Sequence, residues 1–181
     1  MFLETERLII RSLCPSDEKA LIEMASDGSL TEIYGDCSEC CKWMGEFISD
    51  AIKFEAEDNP YREYLAFAIE VKTSHLIIGS VGSSYYEDFG EVGVTYFIGA
   101  GSRGNGYACE ALQRFVDYLF ARYNLKKLIA TANVKNIASC KTLEGAGFRL
   151  VETRMYRDLY DEEEEPSNFY EFVSAACQRI I

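Results

Sequence analysis

The segment YFIGAGSRGNGYACEAL, residues 96–112, decides the fold class of this chain. Apolar residues open it, four glycines follow within residues 99–106, and an amphipathic helical pattern begins at Ala108. This order predicts a buried strand that runs through a glycine-rich loop directly into a helix. The N–H groups and the dipole at the start of such a helix favour an anion, so we expect a phosphate or pyrophosphate to bind there. A connection that only turns the chain is the alternative.

Strands and helices are predicted on both sides of this segment. Upstream, the pattern predicts a strand at 7–11, helices after Pro15 and at 38–57, and an antiparallel meander of strands at 64–71, 76–83 and 91–98. Downstream, strands are predicted at 127–132, 148–156 and 169–173, with a helix between the first two. Strands that alternate with helices favour parallel pairing in this second half. We therefore expect one domain over residues 1–181, of class α/β (α+β), with a mixed, mostly antiparallel sheet of about seven strands flanked by about four helices.

Composition restricts the partners. The chain has 181 residues, with 30 Asp and Glu against 18 Lys and Arg, and a net charge of −12. This charge repels phosphate backbones, so we expect no nucleic-acid partner, whereas cationic partners such as amines fit better. Residues 1–12 lack the pattern of a signal peptide, and no apolar run approaches the roughly 20 residues of a membrane span. We expect a cytoplasmic protein with no membrane partner.

Seven cysteines include a C-x-x-C string at Cys37 and Cys40, followed by Cys41. A structural zinc site needs four ligands, but there is no second pair, and the single histidine is His75. We therefore expect no metal, and we expect reduced thiols because the number of cysteines is odd and no export signal precedes them. In the alternative to a metal site, Ser38 caps a helix whose first turn carries half-buried thiols.

Two patterns compete for the ligand of the glycine-rich loop. Gly99, Gly101 and Gly104 satisfy the dinucleotide fingerprint G-x-G-x-x-G in a strand-to-helix context. That fingerprint expects an acidic residue at the end of the next strand, but the predicted strand ends at Ala132 and Asn133. A Walker A lysine is also absent from the sequence. A nucleotide-dependent oxidoreductase is therefore an alternative, but the sequence lacks the acidic residue that would bind the ribose.

The second pattern is R-x-x-G-x-A over residues 103–108, and two further blocks accompany it. They are ANVKNIASCKTLEGAGF at 132–148 and ETERLIIR at 4–11. With these three motifs in order, the sequence resembles the GNAT superfamily of acetyl-CoA-dependent N-acetyltransferases, in particular its RimJ/RimL branch. The resemblance implies a GNAT-like fold, in which the strands at 91–98 and 127–132 form a parallel pair that splays apart and holds acetyl-CoA in the gap.

The resemblance also implies which residues contact acetyl-CoA. The residues implied to bind its pyrophosphate are Arg103, Gly104, Asn105, Gly106, Tyr107 and Ala108. A backbone N–H at Phe97 or Ile98 would polarise the thioester carbonyl. Asn136 would bind the pantetheine arm, and Asn133 and Ser139 complete the cofactor-binding set.

The acid comes from the same resemblance, and the base from the chemistry that the reaction needs. The position of the family's usual tyrosine acid holds Glu144 here, so Ser139 is the implied acid. Glu91 is the candidate base for the ammonium form of the acceptor. Plainer alternatives stay open, in which Ser139 is a surface serine, Asn136 is only a helix cap, Glu91 is a charged residue at a strand entrance, and the proton leaves through water.

We therefore expect an N-acetyltransferase that moves an acetyl group from acetyl-CoA to a primary amine by direct attack in a ternary complex. The amine is a protein N-terminus, a polyamine or another small amine, and the enzyme is a monomer or a homodimer. The alternatives are a non-catalytic acyl-CoA-binding relative and the oxidoreductase above. A route through acetylated Cys109 or Cys140 is disfavoured because both fit the apolar sides of helices. Acceptor specificity is expected in residues 31–61 and 160–168, the second of which contains five acids at 161–165.

Overall fold

The computed structural model describes residues 1–26, 30, 37–157 and 163–174. The strands are β1 (Phe2–Glu4), β2 (Leu8–Ser12), β3 (Leu65–Val71), β4 (Ile77–Tyr86), β5 (Glu91–Ile98), β6 (Lys127–Asn133), β7 (Arg149–Tyr156) and β8 (Glu165–Val173). The α-helices in these residues are α1 (Glu18–Ala25), α2 (Met44–Glu57), α3 (Tyr107–Arg122) and α4 (Ile137–Gly145). No helix among the described residues is both long enough and apolar enough to cross a membrane.

One mixed sheet connects these strands in the order β1-β2-β3-β4-β5-β6-β8-β7. Neighbouring strands are antiparallel except β5 and β6, which are parallel. Within the described strands, the register of this parallel pair consists of Gly93 opposite Ile129. The two strands therefore meet near their beginnings and separate towards their carboxyl ends, which confirms the predicted mixed sheet with a splayed parallel pair.

Helices cover the sheet on two faces. On β3, Leu65, Phe67 and Ile69 pack into a large apolar cluster that includes residues of α3 and α4. Ala66 and Ala68 alternate with them and pack into a second cluster under α1 and α2. Because side chains of a strand alternate between its faces, the buried run of β3 serves both layers.

Three element boundaries differ from the prediction. The expected strand at 7–11 is the second strand of a hairpin, because Leu3 pairs with Ile10 across a short turn, and this hairpin raises the strand count from about seven to eight. The helix expected from Ser38 begins at Met44, and a 3-10 segment at Cys37–Lys42 precedes it, with Glu39 in a non-helical conformation.

The last strand begins at Glu165 rather than at Phe169. The segment before Phe169, which includes Pro166, lies between two strands, so that Ser167 pairs with both Asn133 and Arg154. Pairing on both sides outweighs the low strand propensity of these residues, and proline is tolerated near the start of a strand. Of the predicted acidic run 161–165, residues 161 and 162 lie outside the described residues.

Candidate functional site

The glycine-rich loop connects the end of β5 to the start of α3. A 3-10 turn at Ala100–Ser102 follows the strand, and Gly104 and Gly106 then adopt positive φ angles of +77° and +76°. A side chain at such a position costs roughly 1–2 kcal/mol, so both glycines are needed for this path. A Cβ at Gly101 or Gly104 would have no heavy atom within 4 Å, so the loop faces open space.

The start of α3 is suited to bind an anion. Gly106 is its N-cap residue and has no side chain to cap the helix, so the N–H groups of the first turn stay available to a ligand. The helix dipole adds partial positive charge at the same point. Arg103 stands exposed before this turn, and its Nε donates a 2.8 Å hydrogen bond to the carbonyl of Ile98. The predicted pyrophosphate-binding residues therefore lie together at one helix end.

Arg7 holds this loop from outside. Its Nη1 donates to the carbonyl of Asn105 at 2.9 Å, and its Nε donates to Oε2 of Glu110 at 2.7 Å. Its guanidinium also lies 4.7 Å from the ring centre of Tyr107. The sequence motif at 4–11 contained Arg7, but sequence reasoning gave it no role, because these contacts join residues about one hundred positions apart.

The carboxylate of Glu110 is kept ionised beside the loop. Burial alone would raise its pKa, but hydrogen bonds from Thr5 and from the backbone and side chain of Arg7 outweigh burial and lower the pKa of Glu110. The first turn of α3 therefore carries a negative charge that Arg7 neutralises.

The carboxyl end of β5 forms one wall of the gap in the sheet. Phe97 and Ile98 pair with Ser80 and Gly79 of β4 on one side, and the described pairing with β6 ends earlier, at Gly93. Gly79 is required here because a Cβ would lie 2.1 Å from the carbonyl oxygen of Phe97. The edge of Phe97 and Ile98 that faces β6 therefore lies beyond the parallel pairing.

The start of α4 forms the other wall. Asn136 is the N-cap of this helix, and its Oδ1 accepts a 3.0 Å hydrogen bond from the N–H of Ser139. The cap role of Asn136 is therefore confirmed, and it fixes the first turn that carries Ser139.

Tyr96 reaches Ser139 from the opposite wall. Its Oη lies 2.9 Å from Oγ of Ser139 and donates to the carbonyl of Ser139 at 3.1 Å. Burial raises the pKa of Tyr96 to about 12. Sequence reasoning missed Tyr96 because the contact spans 43 positions and no local pattern indicates it.

Asn133 is engaged with β8 and with the turn that follows β6. Its Nδ2 donates to Glu165, and its Oδ1 accepts from the N–H of Lys135 at 2.9 Å. Lys135 also contacts Glu165 at 3.1 Å. The side chain of Asn133 thus ties the end of β6 to the beginning of β8.

Glu91 lies at the opposite end of β5 from the loop. It lines a cavity of about 150 Å³, and its carboxylate is 3.6 Å from Lys127, which is bound more closely by Glu171 at 2.6 Å. Six residues separate Glu91 from Phe97, or about 20 Å along a strand. The structure therefore does not bring Glu91 and the loop together.

The cysteines do not form a site in the described residues. Cys140 is buried in the large apolar cluster, and Cys109 is half-buried against it. Cys40 is buried and Cys41 is exposed, whereas the side chain of Cys37 lies outside the described residues. No group of three or more His, Cys, Asp or Glu side chains in the described part of the chain is placed to hold a metal.

Comparison with known proteins places this geometry in a family. The family model described as Acetyltransferase (GNAT) domain matches residues 7–149. An uncharacterized N-acetyltransferase of Bacillus licheniformis is 29% identical over 153 residues, which cover 81% of this chain and 82% of that protein.

Two solved structures share the fold over nearly the whole chain. A putative ribosomal-protein-serine acetyltransferase from Vibrio cholerae has a TM-score of 0.77 at 19% identity, covering 96% of this chain and 98% of that one. RimL, a ribosomal alpha-N-protein acetyltransferase in complex with coenzyme A, has a TM-score of 0.78 at 14% identity, covering 97% of this chain and 99% of that one.

Proposed function

The chain belongs to the GNAT acetyltransferase family, and we propose that it transfers the acetyl group of acetyl-CoA to the nitrogen of a primary amine. The observation that carries this proposal is the glycine-rich start of α3, which opens beside the gap between β5 and β6. An anion site next to a gap in a sheet suits a long donor whose phosphates bind at the helix and whose thioester reaches into the gap. The coenzyme A bound to RimL supports the same donor.

The loop residues bind the pyrophosphate in this proposal. Backbone N–H groups of residues 104–108 donate to the phosphate oxygens, with Arg103 as a charge partner. Asn105 contributes its backbone, because Arg7 fixes its carbonyl from the other side. Gly106 allows the backbone to approach the ligand closely, because its left-handed conformation turns the chain into the helix without a side chain.

The thioester lies in the gap in this proposal, between the end of β5 and the start of α4. A backbone N–H at Phe97 or Ile98 donates to the carbonyl oxygen as negative charge develops on it. Asn136 orients the first turn of α4 and binds the pantetheine arm, while Asn133 holds the end of β6. Acetyl-CoA supplies the activated acyl group, and the residues of the chain supply position and protons.

Proton transfer completes the reaction. In this proposal Ser139 gives a proton to the departing sulfur, and the ammonium form of the acceptor loses one to Glu91 before the neutral amine attacks. Because Glu91 lies at the far end of β5, this proton reaches it through intervening water rather than by direct contact. Direct loss of the proton to solvent is the competing route, and it would make Glu91 dispensable.

The acceptor is a primary amine, either a protein N-terminus or a small amine such as a polyamine. RimL, an alpha-N-protein acetyltransferase, supports a protein N-terminus, and the net charge of −12 supports a cationic acceptor before it loses its proton. Residues 31–36 and 160–162 of the expected acceptor segments lie outside the described residues.

A paired binding experiment tests the donor site. Gly106→Ala puts a side chain at φ +76° and costs roughly 1–2 kcal/mol of local strain. Gly101→Ala is the matched control, because a Cβ there meets no heavy atom within 4 Å. We expect calorimetry to show weaker acetyl-CoA binding for Gly106→Ala alone. Equal binding by both variants would contradict the assignment of the loop.

A thiol-release assay across a panel of amines tests the reaction. Acetyl-CoA binding with release of free thiol only when an amine is present is the expected result. Binding without turnover on any amine indicates a non-catalytic acyl-CoA-binding protein. NAD(H) binding that acetyl-CoA does not displace would instead support an oxidoreductase.

A further inference from the structure

A pair of hydroxyl groups joins the two walls of the gap. Tyr96 belongs to β5, whereas Ser139 belongs to α4, which follows β6 directly. Tyr96 lies three residues beyond Gly93, where the described parallel pairing ends, or about 10 Å along the strand. The 2.9 Å contact between Tyr96 Oη and Ser139 Oγ therefore crosses the gap where it begins to open.

The hydrogen bonds of this pair allow two proton arrangements. The carbonyl of Ser139 only accepts, so when the Tyr96 hydroxyl donates to it at 3.1 Å, Ser139 donates its own proton to Tyr96 Oη. In the second arrangement the Tyr96 hydroxyl donates to Ser139 Oγ. The Ser139 proton is then free to point at a third group in the gap. Rotation of one phenolic O–H bond converts the first arrangement into the second.

Resting on the acetyl transfer proposed above, we infer that Tyr96 is a positioning residue that acts through Ser139. It holds the Ser139 hydroxyl in place and replaces the proton that Ser139 gives to the departing thiolate. Cleavage of the C–S bond leaves the electron pair on sulfur, and the Ser139 O–H bond breaks as its proton goes to that sulfur. The Ser139 oxygen takes the proton of Tyr96 at the same time. The tyrosinate then regains a proton from the acetylated ammonium through water, so the amine loses one proton, the thiol gains one, and both hydroxyls are restored.

This relay accounts for a departure from the family pattern. The position where many relatives carry a tyrosine acid holds Glu144, which here accepts a hydrogen bond from the hydroxyl of Tyr170 at 3.4 Å. That position therefore carries no phenol in this chain. Tyr96 brings a phenol to the same helix from the opposite wall, and burial raises its pKa to about 12, so it stays protonated near neutral pH.

Alternative proton donors near the pair are less well placed. Burial raises the pKa of Cys109, so this thiol is protonated, but its side chain packs against the apolar cluster. Cys140 directs its thiol to the carbonyl of Asn133 at 3.8 Å. Tyr96 has a described contact with the Ser139 hydroxyl, and neither thiol has one.

Tyr96→Phe tests the relay, because it removes one oxygen and keeps the ring. We expect kcat to fall by roughly 100-fold, the lower end of the range for acid–base catalysis, with the KM and the calorimetric Kd of acetyl-CoA unchanged. Tyr85→Phe is the control, since it removes a phenol hydroxyl from the neighbouring strand β4, outside the gap. We expect this control to keep wild-type kcat. If Tyr96 acts only through Ser139, the double variant Tyr96→Phe with Ser139→Ala is no slower than Ser139→Ala alone.

A second measurement needs no variant. The proton inventory of kcat in mixtures of H₂O and D₂O reports how many protons move in the transition state, and the relay predicts a curved plot that Tyr96→Phe makes linear. A wild-type kcat in Tyr96→Phe, additive losses in the double variant, or a linear inventory in the wild type would each overturn the relay. Failure of the wild type to release thiol with any amine would overturn the proposed function, and the relay with it.

Discussion

The contacts of Arg7 predict that its loss weakens acetyl-CoA binding, although its side chain lies beside the loop rather than in the gap. Arg7→Met keeps much of the side-chain length and removes the guanidinium. The change breaks the 2.9 Å hydrogen bond to the carbonyl of Asn105 and the ion pair with Glu110. It also removes the cation from the face of the Tyr107 ring. The loop then loses its fixed backbone, and the Glu110 carboxylate loses its counter-charge.

The size of the effect follows from the exposure of these groups. The side chain of Arg7 is 43% exposed, so its ion pair contributes only about 0.5 kcal/mol to stability after solvent screening. The hydrogen bond and the cation–π contact add about 1 and 0.5 kcal/mol. We expect the free energy of unfolding to fall by about 2 kcal/mol. For binding, an unneutralised carboxylate beside the anion site costs about 1 kcal/mol, or roughly a fivefold rise in Kd.

Calorimetric titration with acetyl-CoA at low and high salt measures this effect. Arg114→Met is the control, because Arg114 lies on α3 with Glu110 and makes one exposed 3.3 Å contact with the carbonyl of Glu4. We expect a raised Kd for Arg7→Met alone, a smaller difference at high salt, and partial recovery when Glu110→Gln is added. A Kd within twofold of wild type in Arg7→Met at low salt would refute the reasoning.

Three further predictions concern the core, the response to acid and the base. Among the described side chains Ser83 is buried and its Oγ has no hydrogen-bond partner, so Ser83→Ala should raise the free energy of unfolding in urea by about 1 kcal/mol. Ser80→Ala should lower it by a similar amount, because its buried Oγ donates to a carbonyl at 2.8 Å. Burial alone would raise the pKa of Asp17, but hydrogen bonds, chiefly from Arg11, lower it below 3.8. The stabilisation from the ionised Asp17 carboxylate is present above the pKa of Asp17 in the unfolded chain and is lost as the pH falls through its lowered pKa in the folded chain. Acid titrations should therefore show a smaller loss of the free energy of unfolding below about pH 4 in Asp17→Asn than in the wild type. Glu91→Gln should reduce kcat roughly 10-fold or more without changing the KM of acetyl-CoA, and an unchanged kcat would indicate direct proton loss to solvent.

Local signals were sufficient for the parts of the site that neighbouring residues determine. Glycines at 104 and 106 predicted a loop, and their positive φ angles show why no other residue suits the path. Asn136 was identified as a possible cap from its position before a helix, and its side chain caps Ser139. These features depend on residues within about four positions of each other, which is the range over which sequence patterns carry information.

Contacts between distant residues could not be predicted in the same way. Neither the hydrogen bond from Arg7 to Asn105 nor the one between Tyr96 and Ser139 leaves a local pattern, because each depends on the complete sheet. The predicted last strand was too short for the same reason, since the first residues of β8 form a strand only through pairing on both sides. Propensity is a weak guide where tertiary pairing decides the conformation.

The two faces of β5 suggest how one acidic chain handles an anionic donor and a cationic acceptor. Val92 packs into the cluster under α3, so Glu91, its neighbour along the strand, points to the opposite face. Glu171 lines the same cavity as Glu91, while the start of α3 presents N–H groups and Arg103 at the other end of the strand. Three Glu side chains line this cavity against Lys127 and Arg154, which leaves a net charge of −1 (2 − 3). Separation along the strand keeps this charge at least a Debye length from the loop at physiological salt, so it attracts a cation without repelling the phosphates. A charge reversal at Glu171 should therefore raise the KM of a cationic amine and leave the Kd of acetyl-CoA unchanged, whereas equal effects on both would show that the two ends are electrostatically coupled.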